Sequence, residues 1–462
     1  MELLVEAKLG HGRMRHELAG ALRAAIQDGR LEAGIALPAS RRLAVQLGVS
    51  RGVTSDAYDQ LASEGYLRVA PRAAPVVAEV ASVPAAAEEP VVAGWRYDFN
   101  PVTPDVALFP RRGWVRAVDR ALRQSPDAAL DYGDHRGRPE LRAAISGYLA
   151  RVRGVRADPG RIVITQGFTQ ALSLICQVLA ASGRGTVAVE TPSHPGLWET
   201  VRRAGPRLVG CPVGAEGVDP AALADLGADA AVVAPAHQFP SGTVLSALRR
   251  HALIDWATAH DGLIVEDDYD AEFRYDRTAV GAVQGLDPGR VAHVGTTAKT
   301  LAPGLRLGWI TAPAWLAEQL PEAKSAADSG SPVIAQIALA NLIISGEYER
   351  HIVRARRTYR RRRDLLLHAL STYLPGLRPQ GAAAGMQLLL PLPTGIDDTA
   401  VAEAAVRRGI CLTPLSPMHL APSPEQGLLL GFGRLAEHRI PGAVRALAAA
   451  LAETEAVPGQ AV

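Results

Sequence analysis

Residues 291–309 read VAHVGTTAKTLAPGLRLGW. The opening run, Val291 to Val294, is apolar and rich in valine, as a buried strand is. It feeds a loop of Gly295, Thr296, Thr297 and Ala298, then Lys299, then Pro303-Gly304 and Arg306. A lysine amine at the end of a buried strand can form a Schiff base with an aldehyde. Hydroxyls and an arginine beside it bind phosphate. The combination suggests pyridoxal 5′-phosphate. A plain surface lysine in a loop is the competing interpretation. Composition weighs against it, because Lys8, Lys299 and Lys324 are the only lysines among 49 basic residues. That scarcity decides nothing by itself.

Two further stretches point the same way. Residues 263–272 read LIVEDDYDAE, an apolar strand running into five acids between Glu266 and Glu272. Several buried carboxylates without a counter-charge are costly. A metal site is one solution. Another is a single carboxylate facing a cationic ring nitrogen, which keeps a pyridine protonated and electron-withdrawing. A tyrosine two residues on would reach the ring's 3′ oxygen. Residues 162–171, IVITQGFTQA, form a strand, a glycine turn and a helix start. Helix N-termini bind phosphate through free N–H groups and the dipole.

Around these stretches the texture is regular. Arg161–Thr165, Thr186–Glu190, Ala230–Ala234, Leu263–Asp267 and Arg290–Val294 are short apolar runs separated by longer Ala/Leu/Arg segments. That alternation predicts an α/β parallel sheet. The whole chain has 462 residues, enough for two or three domains. With 48% hydrophobic and 21% charged residues it has the makings of a packed core, so wholesale disorder is excluded. A formal net charge of +2 means that any nucleic-acid contact has to come from a local patch. The three cysteines, Cys176, Cys211 and Cys411, are odd in number and far apart. They fit a reducing cytoplasm rather than a disulfide framework. No secretory signal or bilayer-spanning stretch is expected. The histidines have no metal-ligand spacing, so no metal is expected.

The N-terminal segment, residues 9–78, is different in character. Met14, Leu18, Leu22, Ala25 and Ile26 predict a first helix ending at Gly29. Leu43, Ala44 and Leu47 predict a second, closed by Gly48. Ser50 caps a third, with Val53, Ala57 and Leu61 inward and Ser50, Arg51, Thr54 and Ser55 outward. Two short helices joined by a tight turn make a helix-turn-helix, whose second helix enters the DNA major groove. A small helical interaction module fits the spacing equally well. The residues go further. GRLEAGIALPASRRLAVQLGVSRGVTSDAYDQLASEGYL (29–67) closely resembles the winged helix-turn-helix of GntR-type regulators. That resemblance implies DNA contacts from Arg41, Ser50, Arg51 and Val53, to which Thr54 and, in the wing, Arg72 are added. The wing tip, Ala70-Pro71-Arg72-Ala73-Ala74, lacks the family's usual glycines. Residues 79–95, rich in Ala, Pro, Val and Glu, are expected to be a semi-extended linker.

Residues 96–452 resemble the fold type I aminotransferase domain, with a large part at about 110–330 and a smaller α+β part at about 331–452. The segments that carry the resemblance include YGDHRGRPELR, VETPSHPG, APAHQFPSG, VEDDYDAEFRY and TTAKTLAPGLRLGW. With the winged helix, nearly the whole chain resembles the MocR/GabR group of transcriptional regulators. The resemblance implies that Lys299 carries pyridoxal 5′-phosphate as a Schiff base, Asp267 pairs with the ring nitrogen, and Tyr269 bonds the 3′ oxygen. It implies a phosphate cup of Gly167, Phe168, Thr169, Thr296 and Arg306, His194 stacked on the ring, and Tyr132 reaching the phosphate of the other subunit in a homodimer.

Several positions depart from the aminotransferase pattern. His194 replaces an aromatic residue, often tyrosine, and Phe168 replaces a hydroxyl residue. Ala298 stands where serine is common. Phe239 replaces an asparagine, with His237 or Gln238 as possible substitutes. Leu429 stands where an arginine would hold the substrate carboxylate; Arg434 is nearby in sequence. These losses touch substrate binding more than cofactor attachment. They favour a cytoplasmic DNA-binding regulator whose effector is an amine, an amino acid or the cofactor itself, over a working aminotransferase with an appended helix-turn-helix. A third interpretation, a domain that has lost the cofactor and only dimerises, is opposed by Lys299, Asp267 and Arg306. The arginine run 354–363 is expected to be a structural helix rather than a nucleic-acid patch.

Overall fold

The helix Arg51–Ser63 starts where Ser50 supplies a cap: its Oγ accepts the N–H of Val53 at 3.4 Å. Gly48, at φ +65°, ends the preceding helix, Ser40–Leu47, and makes the turn between them. These belong to the first of two units into which the chain divides, residues 1–93 and 94–462. In this computed structural model the described residues are 14–70, 73–79, 94–276, 280–381 and 383–455. A first helix, Met14–Gln27, packs Leu18 and Leu22 against Leu43, Ala57 and Leu61. Leu67–Arg68 and Val76–Val77 pair antiparallel as the base of a wing, with Ala36 bridging to Val76. The unit is thus the expected winged helix-turn-helix. Arg72 and its neighbour Pro71 lie outside the described residues.

One expectation in this unit is corrected. Thr54 does not face outward: it is 0% exposed, and its hydroxyl bonds to the carbonyls of Ser40 (2.9 Å) and Arg51 (3.0 Å). It locks the two helices together and has no surface to offer DNA. Arg41, Ser50 and Arg51 are exposed, and Val53 is half-buried against the core.

In the second unit the five anticipated strands form, as Ile162–Thr165, Thr186–Thr191, Ala230–Val233, Leu263–Asp268 and Val291–Thr296. They belong to one eight-stranded sheet. Its order is Ile162–Thr165, Gly308–Thr311, Val291–Thr296, Leu263–Asp268, Ala230–Val233, Thr186–Thr191, Arg207–Gly214 and Gly217–Val218. The sheet is not wholly parallel as expected. Gly308–Thr311 runs antiparallel to both its neighbours, and the edge strand Gly217–Val218 is antiparallel too. Both faces are apolar. One packs Val163, Val187, Val232 and Val294 under the helices Phe168–Ala181 and Ala314–Asp328, and the other packs Ile264 and Val291 against Leu253 and Trp256.

A three-stranded antiparallel sheet, Gln387–Pro391, Gly427–Gly431 and Thr413–Pro414, forms the smaller part, covered by Glu347–Tyr373, Asp398–Arg407 and Ile440–Glu455. Tyr97–Asp98 joins this part by pairing with Ile410–Cys411. The helix Val333–Ile344, by contrast, shares the core of Arg111–Gln124 and Pro139–Arg153. The arginine run falls inside the 27-residue helix Glu347–Tyr373. Arg356 donates to Glu272 O, Arg360 to Tyr275 O, and Arg362 to Gly433 O and the Asp105 carboxylate. Their guanidinium groups stitch loops to the helix.

Candidate functional site

Parallel strands end on one edge of a sheet, and ligands bind in the crevice beyond that edge. Here Glu190, Val233, Asp267 and Thr296 stand at such ends, around a cavity of about 420 Å³. Nine of the residues singled out from the sequence line it together: Gly167, Phe168, Thr169, His194, Asp267, Tyr269, Thr296, Lys299 and Arg306. Tyr132 does not. It is 89% exposed and lies outside the cavity of its own chain.

Lys299 reaches in from the loop after Val291–Thr296. Its Nζ donates to the carbonyl of Val102 and lies 6.0 Å from the Tyr269 ring centroid. Desolvation pushes the amine down to about 8, against the pull of Asp270 and Asp267. Across the cavity, Asp267 Oδ1 is buried and has no hydrogen-bond partner among the described residues. Burial drives its carboxyl well above the usual range, and Asp268, Asp270 and Glu190 add to that; Lys299 opposes it. An acceptor of this kind calls for a cationic donor.

The other acids around Asp267 are accounted for. Glu266 accepts the N–H groups of Val283 and Gln284, both at 2.9 Å. Asp268 pairs with Arg153 (2.7 Å) and His293 (2.8 Å), Asp270 with His237 (3.1 Å), and Glu272 accepts from the Tyr148 hydroxyl (3.1 Å). The cluster therefore resolves into one open carboxylate and four partnered ones. Among the described residues no grouping of His, Cys, Asp and Glu could hold a metal.

The opposite end of the cavity suits an anion. Gly167, at φ +91°, caps the 14-residue helix Phe168–Ala181, a backbone geometry that favours glycine. The free N–H groups of that helix start open on the cavity. Phe168 is half-buried and packs against the sheet core, and it has no side-chain hydroxyl to offer an anion. The Arg306 guanidinium lies beside Gly167 and has no hydrogen bond or ion pair among the described residues. Arg306 itself sits at φ +50°, a strained conformation that costs about 1–2 kcal/mol outside glycine. The Thr296 hydroxyl accepts from Ala298 N–H at 3.1 Å, shaping the lysine loop.

His194 stands on one wall. Its Nδ1 accepts the N–H of Gly196 at 3.0 Å, which leaves Nε2 as the donor in the neutral ring. Burial, then the Lys299 charge, lowers its pKa. Gln238 does not replace the missing asparagine: its amide is spent on Pro192 O, Phe239 O and Ser241 N–H. His237 lies behind Tyr269, 3.1 Å from its hydroxyl. Leu429 is fully buried among Leu389, Leu415, Met418 and Phe239, and Arg434 pairs with Asp98. Neither lines the cavity, and among the described residues Arg306 is the sole arginine that does.

Sequence reasoning assigned no role to Val102 or Glu190. Glu190 is buried at the cavity floor, accepts from Ala234 N–H at 3.1 Å and is pushed up to about 8 by burial. Its one signal is a carboxylate at the end of an otherwise apolar strand, in VETPSHPG.

Comparison with known proteins gives two family matches. Residues 108–435 match Aminotransferase class I and II, and residues 15–77 match Bacterial regulatory proteins, gntR family. The probable rhizopine catabolism regulatory protein MocR of Rhizobium meliloti is 32% identical over 91% of this chain and 90% of its own. The HTH-type pyridoxine biosynthesis transcriptional regulator PdxR of Corynebacterium glutamicum is 33% identical over 90% and 91%. Among solved structures, an archaeal alanine:glyoxylate aminotransferase is 28% identical, with a TM-score of 0.72 over 78% of this chain and 92% of that one. LysN, the α-aminoadipate aminotransferase of Thermus thermophilus, complexed with N-(5′-phosphopyridoxyl)-L-leucine, is also 28% identical, with a TM-score of 0.70 and the same coverage. The chain belongs to the MocR-type HTH transcriptional regulators, in which a GntR-family DNA-binding module precedes an aminotransferase class I and II domain.

Proposed function

We propose that this regulator holds pyridoxal 5′-phosphate in the cavity around Lys299, and that occupancy of the cavity controls DNA binding. The observation that carries the proposal is the orphaned, buried Oδ1 of Asp267 facing a cavity that also holds the Lys299 side chain and an unpartnered guanidinium. Bound there, the cofactor supplies an electrophilic aldehyde and a protonatable ring that withdraws electrons. The Lys299 amine would hold the aldehyde carbon. Asp267 would accept the ring N–H, with the proton that burial keeps on its carboxyl available for that bond. Tyr269 would donate to the 3′ oxygen and His194 would cover a ring face. The helix start at Gly167, Phe168 and Thr169, with Thr296 and Arg306, neutralises the phosphate.

Exposed Tyr132 fits a role at the phosphate of a partner subunit, and so a homodimer. The effector is the cofactor itself or a small amine or amino acid. With Arg306 the one arginine lining the cavity among the described residues, an effector without a carboxylate is favoured and transaminase turnover is disfavoured. A role on DNA fits a protein that works in the cytoplasm. A ligand that stabilises one arrangement of the DNA-binding modules over another shifts operator affinity by that difference.

Titration of the purified protein with pyridoxal 5′-phosphate is expected to give a saturable visible band and to change operator affinity. Absence of the band overturns the proposal. For the DNA-binding module, Arg41→Ala and Arg51→Ala are each expected to weaken operator binding. Removing one arginine from a DNA phosphate should reduce the slope of log affinity against log salt by about one. An unchanged slope in both variants shows that neither arginine binds phosphate.

A further inference from the structure

Behind the Tyr269 phenol lies a buried group whose role is unassigned above. Tyr269 Oη is 3.1 Å from His237 Nδ1, and Gln387 Nε2 donates to it at 3.4 Å. His237 Nδ1 is also 3.1 and 3.3 Å from the two carboxylate oxygens of Asp270. The side chains of His237 and Asp270 are each 2% exposed. His237 follows the strand Ala230–Val233, Asp270 follows Leu263–Asp268, and Gln387 opens the small sheet. Three elements thus converge on one phenol. Gly385, at φ +75°, makes room: a Cβ there would come within 2.1 Å of the imidazole.

The hydrogens can be assigned from the partners. His237 Nε2 is buried and has no partner among the described residues, so the ring proton belongs on Nδ1, where Asp270 accepts it. That N–H is shared between Asp270 and the Tyr269 oxygen. With the Gln387 N–H, two donors now point at Oη and fill its acceptor positions. The phenol's own proton has one direction left, into the cavity that Tyr269 lines.

We propose that His237 and Asp270 are positioning residues that hold Tyr269 as a dedicated hydrogen-bond donor to the 3′ oxygen of pyridoxal 5′-phosphate. The inference rests on the cofactor reading above. A donor at that oxygen competes with the proton on the lysine–cofactor nitrogen, which bonds to the same oxygen. It therefore lowers the pH at which that nitrogen loses its proton. The charged groups around the site are Asp270 behind the phenol, Asp267 at the end of its strand, Glu190 two strands away, Lys299 across the cavity, and His194 and Arg306 at the ring face and phosphate end. All of these stay in place in the variants below.

The test is a pH titration of the visible band of the cofactor-loaded protein. His237→Leu is expected to raise the midpoint by about one unit, the scale of one hydrogen bond to a charged oxygen. His237→Asn, which keeps an N–H near Nδ1, should leave it close to wild type. Tyr269→Phe should shift the midpoint as His237→Leu does, and adding His237→Leu to Tyr269→Phe should shift it no further. A midpoint unmoved by His237→Leu, or a further shift in the Tyr269→Phe background, overturns the inference while the cofactor reading stands. If wild type forms no band, both fall together. Should His237→Leu fail to fold, Gln387→Leu decides, with a shift in the same direction expected and an unchanged midpoint overturning the inference.

Discussion

Replacing Arg153 by methionine is expected to lower the stability of the aminotransferase-like unit by about 3–5 kcal/mol, the usual cost of leaving a buried charge without its partner. Arg153 ends the helix Pro139–Arg153, and its Nε donates to Asp268 Oδ2 at 2.7 Å. Both side chains are 5% exposed. Burial alone would raise the Asp268 carboxyl, but Arg153 and His293 outweigh it and hold the group below its ordinary value. With Arg153 gone, one imidazole is left to offset Asp268 beside Glu272, which burial and Asp268 already push up to about 7. The linkage has a definite sign. A carboxyl depressed in the folded state stabilises above its unfolded pKa, about 4, and loses that contribution as pH falls further. The gap between wild type and Arg153→Met, read from urea midpoints, should be largest at neutral pH and above and narrow in acid, because Asp268 of the variant takes up its proton at a higher pH than Asp268 of wild type. A double variant, Arg153→Met with Asp268→Leu, should recover much of the loss, because it removes the stranded charge. A single variant as stable as wild type would show that the pair contributes nothing.

That network shows what the sequence could and could not reveal. The strands around the site were legible because buried strands are short apolar runs, and Lys299, Asp267 and Gly167 were legible because each stands at or just past the end of one. The direction of Gly308–Thr311 was not, since four residues of GWIT carry no mark of their neighbours' orientation. Thr54 was misjudged through the choice of helical row. Steps of four residues drift by about 40° each, so Val53, Ala57 and Leu61 do not stay on one line. The buried face of that helix is Thr54, Ala57, Tyr58 and Leu61, the i, i+3, i+4, i+7 pattern. The partners of Asp268 and Asp270 were hidden for another reason. Arg153 is 115 residues from Asp268, and His237 is 33 from Asp270. Local pattern flags an acid cluster, but only the fold says which acid is left open for a ligand.

That open carboxylate matters because of what faces it. Lys299→Ala is expected to abolish the visible band of the cofactor-loaded protein and any cofactor-dependent change in operator binding. The reason lies in the amine rather than in the charge. Desolvation brings the Lys299 amine to about 8. At pH 7 roughly one molecule in ten then carries a free amine, about 300-fold more than for an ordinary lysine. The free amine attacks an aldehyde, whereas the ammonium cannot. The rate of band formation in wild type should therefore rise about tenfold per pH unit below pH 8 and level off above it. Lys299→Arg keeps a cation where the ammonium stood but has no attacking amine, so it should fail as completely as Lys299→Ala. Either variant can still bind the phosphate and ring through Arg306, the helix start at Gly167 and Asp267. Residual quenching of protein fluorescence by pyridoxal 5′-phosphate, without a visible band, would separate loss of attachment from loss of the site. A visible band that survives in Lys299→Ala would place the covalent bond on another amine. With Lys8 and Lys324 as the other lysines, the search would be short, since Lys324 is buried against Asp328.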